Sequence, residues 1–494
     1  MPAARQPGHR WQPLADLPPD WRRWRDSSLP GLLAVWQRQR SELPEATVRT
    51  FIDKMFRRWS IETGILERIY TLDESATQTL VELGFDAAYL SHGDSDLPAG
   101  QLIAILEDHR DAAEGLFAFV NHRRDLSTSY IKELHQQLLR HQEFADGVDS
   151  MGSPVQVRVR KGDWKQWPNN PGDRRTGQLI HEYCPPEQTA SEMARLLLLH
   201  QAHADVPFEI EAAWLHHRFT QIHPFQDGNG RVARALATLV CLRAGSLPLV
   251  IERGDKREYI AALEQADRGD LGALIGMFRR QQQEALLRAL QLSEPSETPA
   301  GFGGVLEQAR RRLEAAADSS RIANGVRGRV ESLLQIANRR FEAAALDVTN
   351  IGTQGIGATT AFASEPSAAR YWQQIAGGAV DLGYEADPGG HRAWIVLHIL
   401  WGGVGGWHEQ RRCDLVISLH PVRRTGEHVM AALALLCEQR TMRSGEDDVI
   451  GSQLACKAPF TFTDLAEFND EAVRFTTWLE DALVLGLDAW RRML

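Results

Sequence analysis

Apolar residues recur every three or four positions through most of the first 290 residues, the spacing that gives a helix one buried face. Val48, Ile52 and Phe56 form one such series. The pattern predicts helices over 44–59, 61–70, 99–120, 127–143, 189–200 and 209–221. The N-terminal part of the chain is therefore predicted to be mostly α-helical.

The pattern changes at Val155, where apolar and polar residues alternate in VQVRVR. A loop rich in Pro, Asn and Gly follows, and TGQLIHEYCPP comes after it. A turn-rich loop that follows such an alternating segment predicts a β-hairpin, with a long loop, over about 155–186.

A separate region is predicted beyond residue 290. Residues 292–303 read as a linker, because their Ser, Pro and Gly content interrupts the helical pattern. Helices are predicted over 305–317, 328–345, 428–438 and 469–494, and strands over 394–401 and 414–419. The fold class is thus mostly α with a C-terminal α+β region over 304–494, which carries no recognised chemistry.

Composition limits the classes of partner. The 494 residues carry a net charge of -10, with a pI near 6.0, which argues against a general nucleic-acid binder. No apolar run is long enough to span a bilayer, and five scattered cysteines argue against a disulfide framework or a cysteine zinc site. We therefore expect a cytoplasmic protein of two or three domains with no membrane partner, and oligomerisation stays open.

One stretch concentrates the polar chemistry: residues 223–234 read HPFQDGNGRVAR. Gly228 and Gly230 let the backbone approach a ligand closely, and a helix that starts here offers free N–H groups to an anion. Arg231 and Arg234 lie three apart on that helix, and their guanidinium groups suit phosphate oxygens. The stretch therefore predicts a polyphosphate site.

Two further residues of the stretch suit catalysis. Asp227 is a hard oxygen ligand of the kind that holds Mg²⁺ beside phosphates. His223 precedes Pro224, so an extended backbone is expected, with the imidazole projecting from a loop as a base. His216 and His217 lie nearby, but no carboxylate or thiol completes a metal site with them and His223, and roles in packing or in support of the site are predicted.

The stretch resembles the signature of the Fic family of nucleotidyl transferases. Every defining position matches, through His223, Phe225, Asp227, Gly228, Asn229, Gly230, Arg231 and Arg234. The resemblance covers about residues 40–290 and implies a Fic-type helical core over 101–291, preceded by an N-terminal helical region over 1–100. It implies a protein adenylyltransferase that moves AMP from ATP to a Ser, Thr or Tyr hydroxyl, with Mg²⁺ as cofactor.

The resemblance also implies a role for each residue. His223 takes the proton of the attacking hydroxyl, Asp227 holds Mg²⁺, and Phe225 anchors the loop. The phosphates are bound by Gly228, Asn229, Gly230, Arg231 and Arg234.

Thr63 and Glu67 lie four apart, on one face of the helix predicted near 61–70. They resemble the inhibitory motif of autoinhibited Fic proteins, in which Gly or Asn follows the glutamate; this chain has Arg68 there. The resemblance implies that Glu67 pairs with Arg234 and keeps the γ-phosphate out of its productive place. An ordinary surface glutamate is the alternative.

Two more elements have roles that the resemblance implies. The hairpin over 155–186 resembles the Fic flap, on which an unknown target protein docks by main-chain pairing, and a plain surface hairpin is the alternative. Residues 256–278 resemble the part that forms the adenine pocket, which makes Tyr259 and Asp267 nucleotide contacts. Relatives often have Asn in place of Asp267; a core tyrosine and a helix-ending aspartate are the alternative.

Other functions stay open. The enzyme could transfer another nucleotide or phosphate-bearing group, modify itself, or mainly remove AMP from a modified target. From another class, the chain could be a nucleotide-sensing interaction module without catalysis. His223 argues against the last option, because a binding module needs no base before its anion loop.

Overall fold

The computed structural model describes residues 9–122, 124–148, 153–172, 179–292, 301–351, 356–364, 371–402, 411–423, 425, 428–441, 447–463 and 468–494. The chain forms two compact units, Met1–Arg25 with Glu45–Gln282, and Asp26–Pro44 with Gln283–Leu494. This corrects the predicted boundaries at 100 and 292–303. Residues 26–44 join the second unit, and the first unit ends inside a helix; residues 293–300 of the predicted linker lie outside the described part.

The structure is mostly α-helical. In chain order, the helices are α1 (Ser28–Glu42), α2 (Glu45–Leu66), α3 (Glu74–Leu83), α4 (Ala99–Asn121), α5 (Thr128–Leu138), α6 (Pro186–Ala202), α7 (Phe208–Ile222), α8 (Asn229–Arg243), α9 (Lys256–Asp267), α10 (Gly272–Ala289), α11 (Gly301–Thr349), α12 (Trp372–Asp381) and α13 (Phe468–Arg491). The strands are β1 (Phe144–Val148), β2 (Pro154–Arg158), β3 (Gly357–Ser364), β4 (Ala393–Trp401), β5 (Arg411–Pro421), β6 (Val429–Thr441), β7 (Asp447–Leu454) and β8 (Phe460–Thr463).

The core of the first unit is the helix pair α7 and α8, which pack against each other. Every residue of α8 from Arg231 to Leu242 is buried. A helix that is buried on all sides carries its polar side chains into the interior, where each needs a partner. The two buried arginines of α8, Arg231 and Arg234, therefore need partners from neighbouring elements.

Two predictions for the first unit are corrected. The helices over 44–59 and 61–70 are one helix, α2, which continues through Ser60 and ends at Leu66. The alternating strand β2 pairs antiparallel with the preceding β1, with Phe144 opposite Arg158. The chain turns a second time where the Ile180 N–H donates to the Pro171 carbonyl (2.9 Å). Alternation predicts a strand without fixing its partner, so the single hairpin over 155–186 is wrong; residues 173–178 lie outside the described part.

The second unit contains a six-stranded antiparallel sheet in the order β3-β4-β5-β6-β7, with β8 also paired to β6. α12 and α13 both contact β6. The predicted helix over 428–438 is wrong, because this run is strand β6, which is hydrogen-bonded on both edges and buried through most of its length. Such a strand is apolar without alternation and cannot be told from a buried helix by its pattern.

The other predictions for this unit hold in part. The strands over 394–401 and 414–419 are confirmed as β4 and β5, and the helix over 469–494 is confirmed as α13. The helices over 305–317 and 328–345 are one helix, α11. None of the helices in the described ranges combines the length and apolar character needed to cross a bilayer.

Helix α1 contacts β8 through Gly31, where an added Cβ would lie 2.5 Å from Thr463 Oγ1. We expect Gly31→Val to lower the free energy of unfolding by about 1–3 kcal/mol, because the larger side chain has no room. Urea unfolding measures the change. Gly325→Val in α11, where nothing lies within 4 Å, is the control; equal effects of both substitutions would contradict the docking of α1 in this unit.

Candidate active site

The loop between α7 and α8 is closed by the side chain of Asn229. Its Oδ1 accepts from the Phe225 N–H (2.8 Å), and its Nδ2 donates to the Phe225 carbonyl (2.7 Å). Gly228 precedes α8 with φ 79°, a left-handed conformation that glycine adopts without strain. Asn229 was predicted to bind phosphate, but its amide is already used by Phe225, so it holds the loop in shape.

Phe225 lies inside this loop. Its ring is fully buried and stacks on the imidazole of His135, with 3.7 Å between ring centroids. The Gly162 N–H donates to His135 Nδ1 (2.8 Å), so Nε2 carries the proton and donates to the Asp227 carbonyl (3.0 Å). Burial lowers the pKa of His135 to about 4, which keeps this bridge neutral.

His223 ends α7 in the left-handed conformation, with φ 51° and ψ 57°. The expected extended backbone is wrong, because its N–H continues the helix by donating to the Phe219 carbonyl (2.9 Å). The ring stacks on Tyr183 at 3.8 Å, and Nδ1 donates to the Thr220 carbonyl (3.2 Å). Burial lowers the pKa of His223 to about 3, so the imidazole is neutral and Nε2 holds a free lone pair.

Arg231 lies in the first turn of α8 with unused donors. Its Nη2 donates to Asp227 Oδ2 (3.1 Å), which also accepts from Gln142 Nε2 (2.8 Å). The guanidinium is 1% exposed, and its Nε and Nη1 have no hydrogen-bond partner among the described residues. Buried donors without partners are costly, and here they lie at a helix start that favours anions.

Asp227 has one oxygen to spare. Oδ2 is shared by Arg231 and Gln142, whereas Oδ1 accepts no hydrogen bond from the part of the chain described. The side chain is 35% exposed. A carboxylate with one oriented and one free oxygen fits a Mg²⁺ ion that is otherwise held by phosphates and water.

Arg234 is bound by the end of α2. Its Nε donates to Thr63 Oγ1 (2.7 Å), and its Nη2 donates to the Thr63 carbonyl (3.1 Å) and to Glu67 Oε1 (2.8 Å). A Cβ at Gly230 would overlap Glu67 Oε1. The Glu67 carboxylate therefore lies against the first turn of α8, where an anion would bind.

The backbone conformation of Arg68 shows why Gly or Asn would suit the position after Glu67. Arg68 has φ 59°, in the left-handed region, as the chain leaves α2. Gly and Asn adopt this conformation at a helix end with little strain. Gly or Asn is thus the easier residue at this position, and Arg68 occupies it at some conformational cost.

Sequence analysis missed Lys165 and Asn169, which hold the same loop. The buried Lys165 Nζ donates to the Ile222 carbonyl (3.1 Å) and to Asn169 Oδ1 (3.0 Å), and Asn169 Nδ2 donates to the Phe225 carbonyl (2.7 Å). Burial lowers the pKa of Lys165 to about 8. Both residues lie in a Pro- and Asn-rich segment typical of a turn, so nothing in their spacing pointed to residues 223–234.

Tyr259 and Asp267 each contact a buried histidine. The Tyr259 hydroxyl lies 2.8 Å from His216 Nε2, and His217 Nε2 donates to Asp267 Oδ1 (2.9 Å). His217 thus has the carboxylate partner that its sequence neighbourhood lacks. A nucleotide contact by Tyr259 or Asp267 stays a prediction.

Residues 125–241 match the family model described as Fic/DOC family. The chain contains a Fic domain. The match includes every residue of the stretch 223–234, and it begins after Thr63 and Glu67.

Two proteins are similar in sequence to this Fic domain over part of their length. A protein adenylyltransferase Fic from Nematostella vectensis is 34% identical over 112 residues, 22% of this chain and 26% of that protein. One from Aedes aegypti is 28% identical over 152 residues, 31% of this chain and 27% of that protein. The chain thus spans about a quarter of the length of these relatives. A crystal structure of a Fic domain containing signaling protein from Bacteroides thetaiotaomicron is 24% identical, with 55% of this chain and 99% of that chain covered and a TM-score of 0.42.

We expect Asn229→Ala to lower the free energy of unfolding by about 1–3 kcal/mol, because the buried Phe225 N–H loses its acceptor. Chemical denaturation measures the loss. Asn121→Ala, at an exposed helix end, is the control. A stability equal to that of the control would show that Asn229 does not close the loop.

Proposed function

We propose that the protein is an adenylyltransferase that moves AMP from ATP to a Ser, Thr or Tyr hydroxyl of a protein, and that Glu67 restrains it. One observation carries the proposal. A neutral imidazole, His223, precedes a helix start at which Arg231 has two buried N–H groups without partners among the described residues. Relatives named protein adenylyltransferase Fic support the same chemistry.

His223 acts as the base. Its Nδ1–H is held by the Thr220 carbonyl, so the free lone pair is on Nε2. The target hydroxyl oxygen forms a bond to the α-phosphorus of ATP, the bond from that phosphorus to the bridging β-oxygen breaks, and pyrophosphate leaves. Nε2 takes the hydroxyl proton as the new bond forms.

The remaining work is positioning and neutralisation of charge. The N–H groups at the start of α8 and the donors of Arg231 face the phosphates, with Gly228 and Gly230 leaving room for them. Arg234 would hold the terminal phosphates once Glu67 is displaced. Asp227 would hold Mg²⁺ through its free Oδ1, and the ion would neutralise phosphate charge.

Glu67 restrains the site by charge and by position. Its carboxylate bonds to Arg234 and lies against Gly230, so it occupies part of the space and uses one donor that the terminal phosphate needs. Two like charges near one guanidinium compete. We propose that ATP enters its productive position only when Glu67 moves away.

The target segment would dock along the chain that precedes the catalytic helices. Residues 179–183 end at Tyr183, and the ring of Tyr183 stacks on His223. A target segment that lies beside Tyr183 would bring its hydroxyl side chain towards the base. ATP supply and five free, buried cysteines fit a cytoplasmic location.

We expect Glu67→Gly to raise labelling of the protein itself or of a partner by labelled ATP with Mg²⁺ about 5- to 150-fold, the usual range of coupling between two sites. Intact-mass spectrometry identifies the added group. Glu45→Gly, at the exposed other end of α2, is the control and should change nothing. No label from any variant that still binds ATP would favour a sensing module, and preferential labelling by GTP or UTP would overturn the adenylyl assignment.

In the Glu67→Gly background, His223→Ala should reduce labelling about 100-fold or more, because the base is lost. Nucleotide affinity, measured by calorimetry, should stay nearly the same, since His223 lies beside the phosphate site and not in it. His122→Ala, an exposed histidine, is the control. Normal labelling by the His223 variant would contradict the proposed mechanism.

A further inference from the structure

We propose that His9, His181 and Asp267 form a binding site for a divalent ion of the zinc type, beside the catalytic histidine and separate from the Mg²⁺ site at Asp227. Each of the three offers one ligand atom, and these atoms lie within 4.8 Å of one another. The residues come from three distant parts of the sequence. Only the folded first unit brings them together.

The backbone holds His9 in place. The Glu182 N–H donates to the His9 carbonyl (3.0 Å), and His9 forms a parallel bridge with His181. Five residues on, the Leu14 N–H donates to Glu192 Oε2 (2.9 Å). The N-terminal segment therefore lies along the first unit in a fixed register, which makes His9 a defined ligand and not a side chain of a free terminus.

A hydrogen-bonded pair orients Asp267. Arg218 Nη1 donates to His217 Nδ1 (3.1 Å), so His217 Nε2 carries the proton and donates to Asp267 Oδ1 (2.9 Å). The other carboxylate oxygen, Oδ2, faces His181 Nδ1 at 3.5 Å, which is too far for a good hydrogen bond. An acid with one oxygen fixed and one free is the usual arrangement around a bound metal.

His181 has a nitrogen without a role. Its Nε2 is buried and has no hydrogen-bond partner among the described residues. Its ring stacks on that of His9, with 4.6 Å between centroids. A cation at the edge of the two rings, beside the Asp267 carboxylate, would take one nitrogen lone pair from each ring and one carboxylate oxygen.

The ligand set selects the class of ion. Two imidazoles and one carboxylate suit Zn²⁺ or Co²⁺, whereas Mg²⁺ prefers oxygen ligands. In a tetrahedral site with bonds of about 2.0–2.1 Å, ligand atoms lie about 3.4 Å apart. The three side chains would rotate to bring their ligand atoms to this spacing, and water would take the fourth position. An ion here ties the N-terminal segment to residues 179–183, whose Tyr183 stacks on His223.

The test uses the full-length protein without a histidine tag, in saturating Mg²⁺. Co²⁺ is titrated while the visible absorption of tetrahedral cobalt is recorded, and Zn²⁺ is then added as competitor. We expect one equivalent of Co²⁺ to bind and Zn²⁺ to displace it. His9→Ala should weaken binding at least about tenfold, because removing even an outer residue of a metal site costs about 10- to 100-fold in affinity.

Three further variants make the result specific. Asp267→Asn should weaken cobalt binding as His9→Ala does, whereas Asp227→Asn and the exposed His92→Ala should bind cobalt as the unmodified chain does. Absence of the cobalt band, or equal affinity in the His9→Ala variant, would overturn the proposal. The His9→Ala variant decides the matter even if Asp267→Asn does not fold. The readout does not depend on AMP transfer, so it is independent of the proposed function.

Discussion

The guanidinium of Arg234 lies on the most deeply buried helix of the first unit, and a charge in such a place needs an acceptor within reach. Thr63 and Glu67 supply the acceptors from the end of α2. The same contact therefore joins two helices in the fold, satisfies a buried charge and covers the anion site at the start of α8. In the function that we propose, a triphosphate that enters the site replaces Glu67 as the partner of this guanidinium.

The proposed base and the proposed anion site belong to one turn that side-chain hydrogen bonds hold together. The backbone of residues 222–225 is hydrogen-bonded by the side chains of Asn229, Lys165 and Asn169. These bonds fix His223 relative to the first turn of α8. These side chains touch no reacting atom in the proposed reaction. They hold the reacting groups at a constant distance from one another. Transfer of a group between bound reactants depends on that distance.

The sequence predicts best where the chemistry is local. Twelve consecutive residues supply the base, a carboxylate and two arginines, and helix spacing predicts the α8 on which the arginines lie. The sequence predicts poorly where the partner of a residue or strand is distant. Strand β2 pairs with the preceding strand β1, and the apolar run of β6 has the pattern of a buried helix. His217 bonds to the carboxylate of Asp267, which lies 50 residues further along the chain. Pattern carries the period of an element but not the identity of its neighbours.

The competition between Glu67 and the terminal phosphates for Arg234 is tested most directly by calorimetric titration of the unmodified protein and Glu67→Gly with ATP and with AMP. We expect the substitution to raise the affinity for ATP and to leave that for AMP nearly unchanged, since AMP has no phosphate that reaches Arg234. An equal change for both nucleotides, or no change for ATP, would contradict the competition.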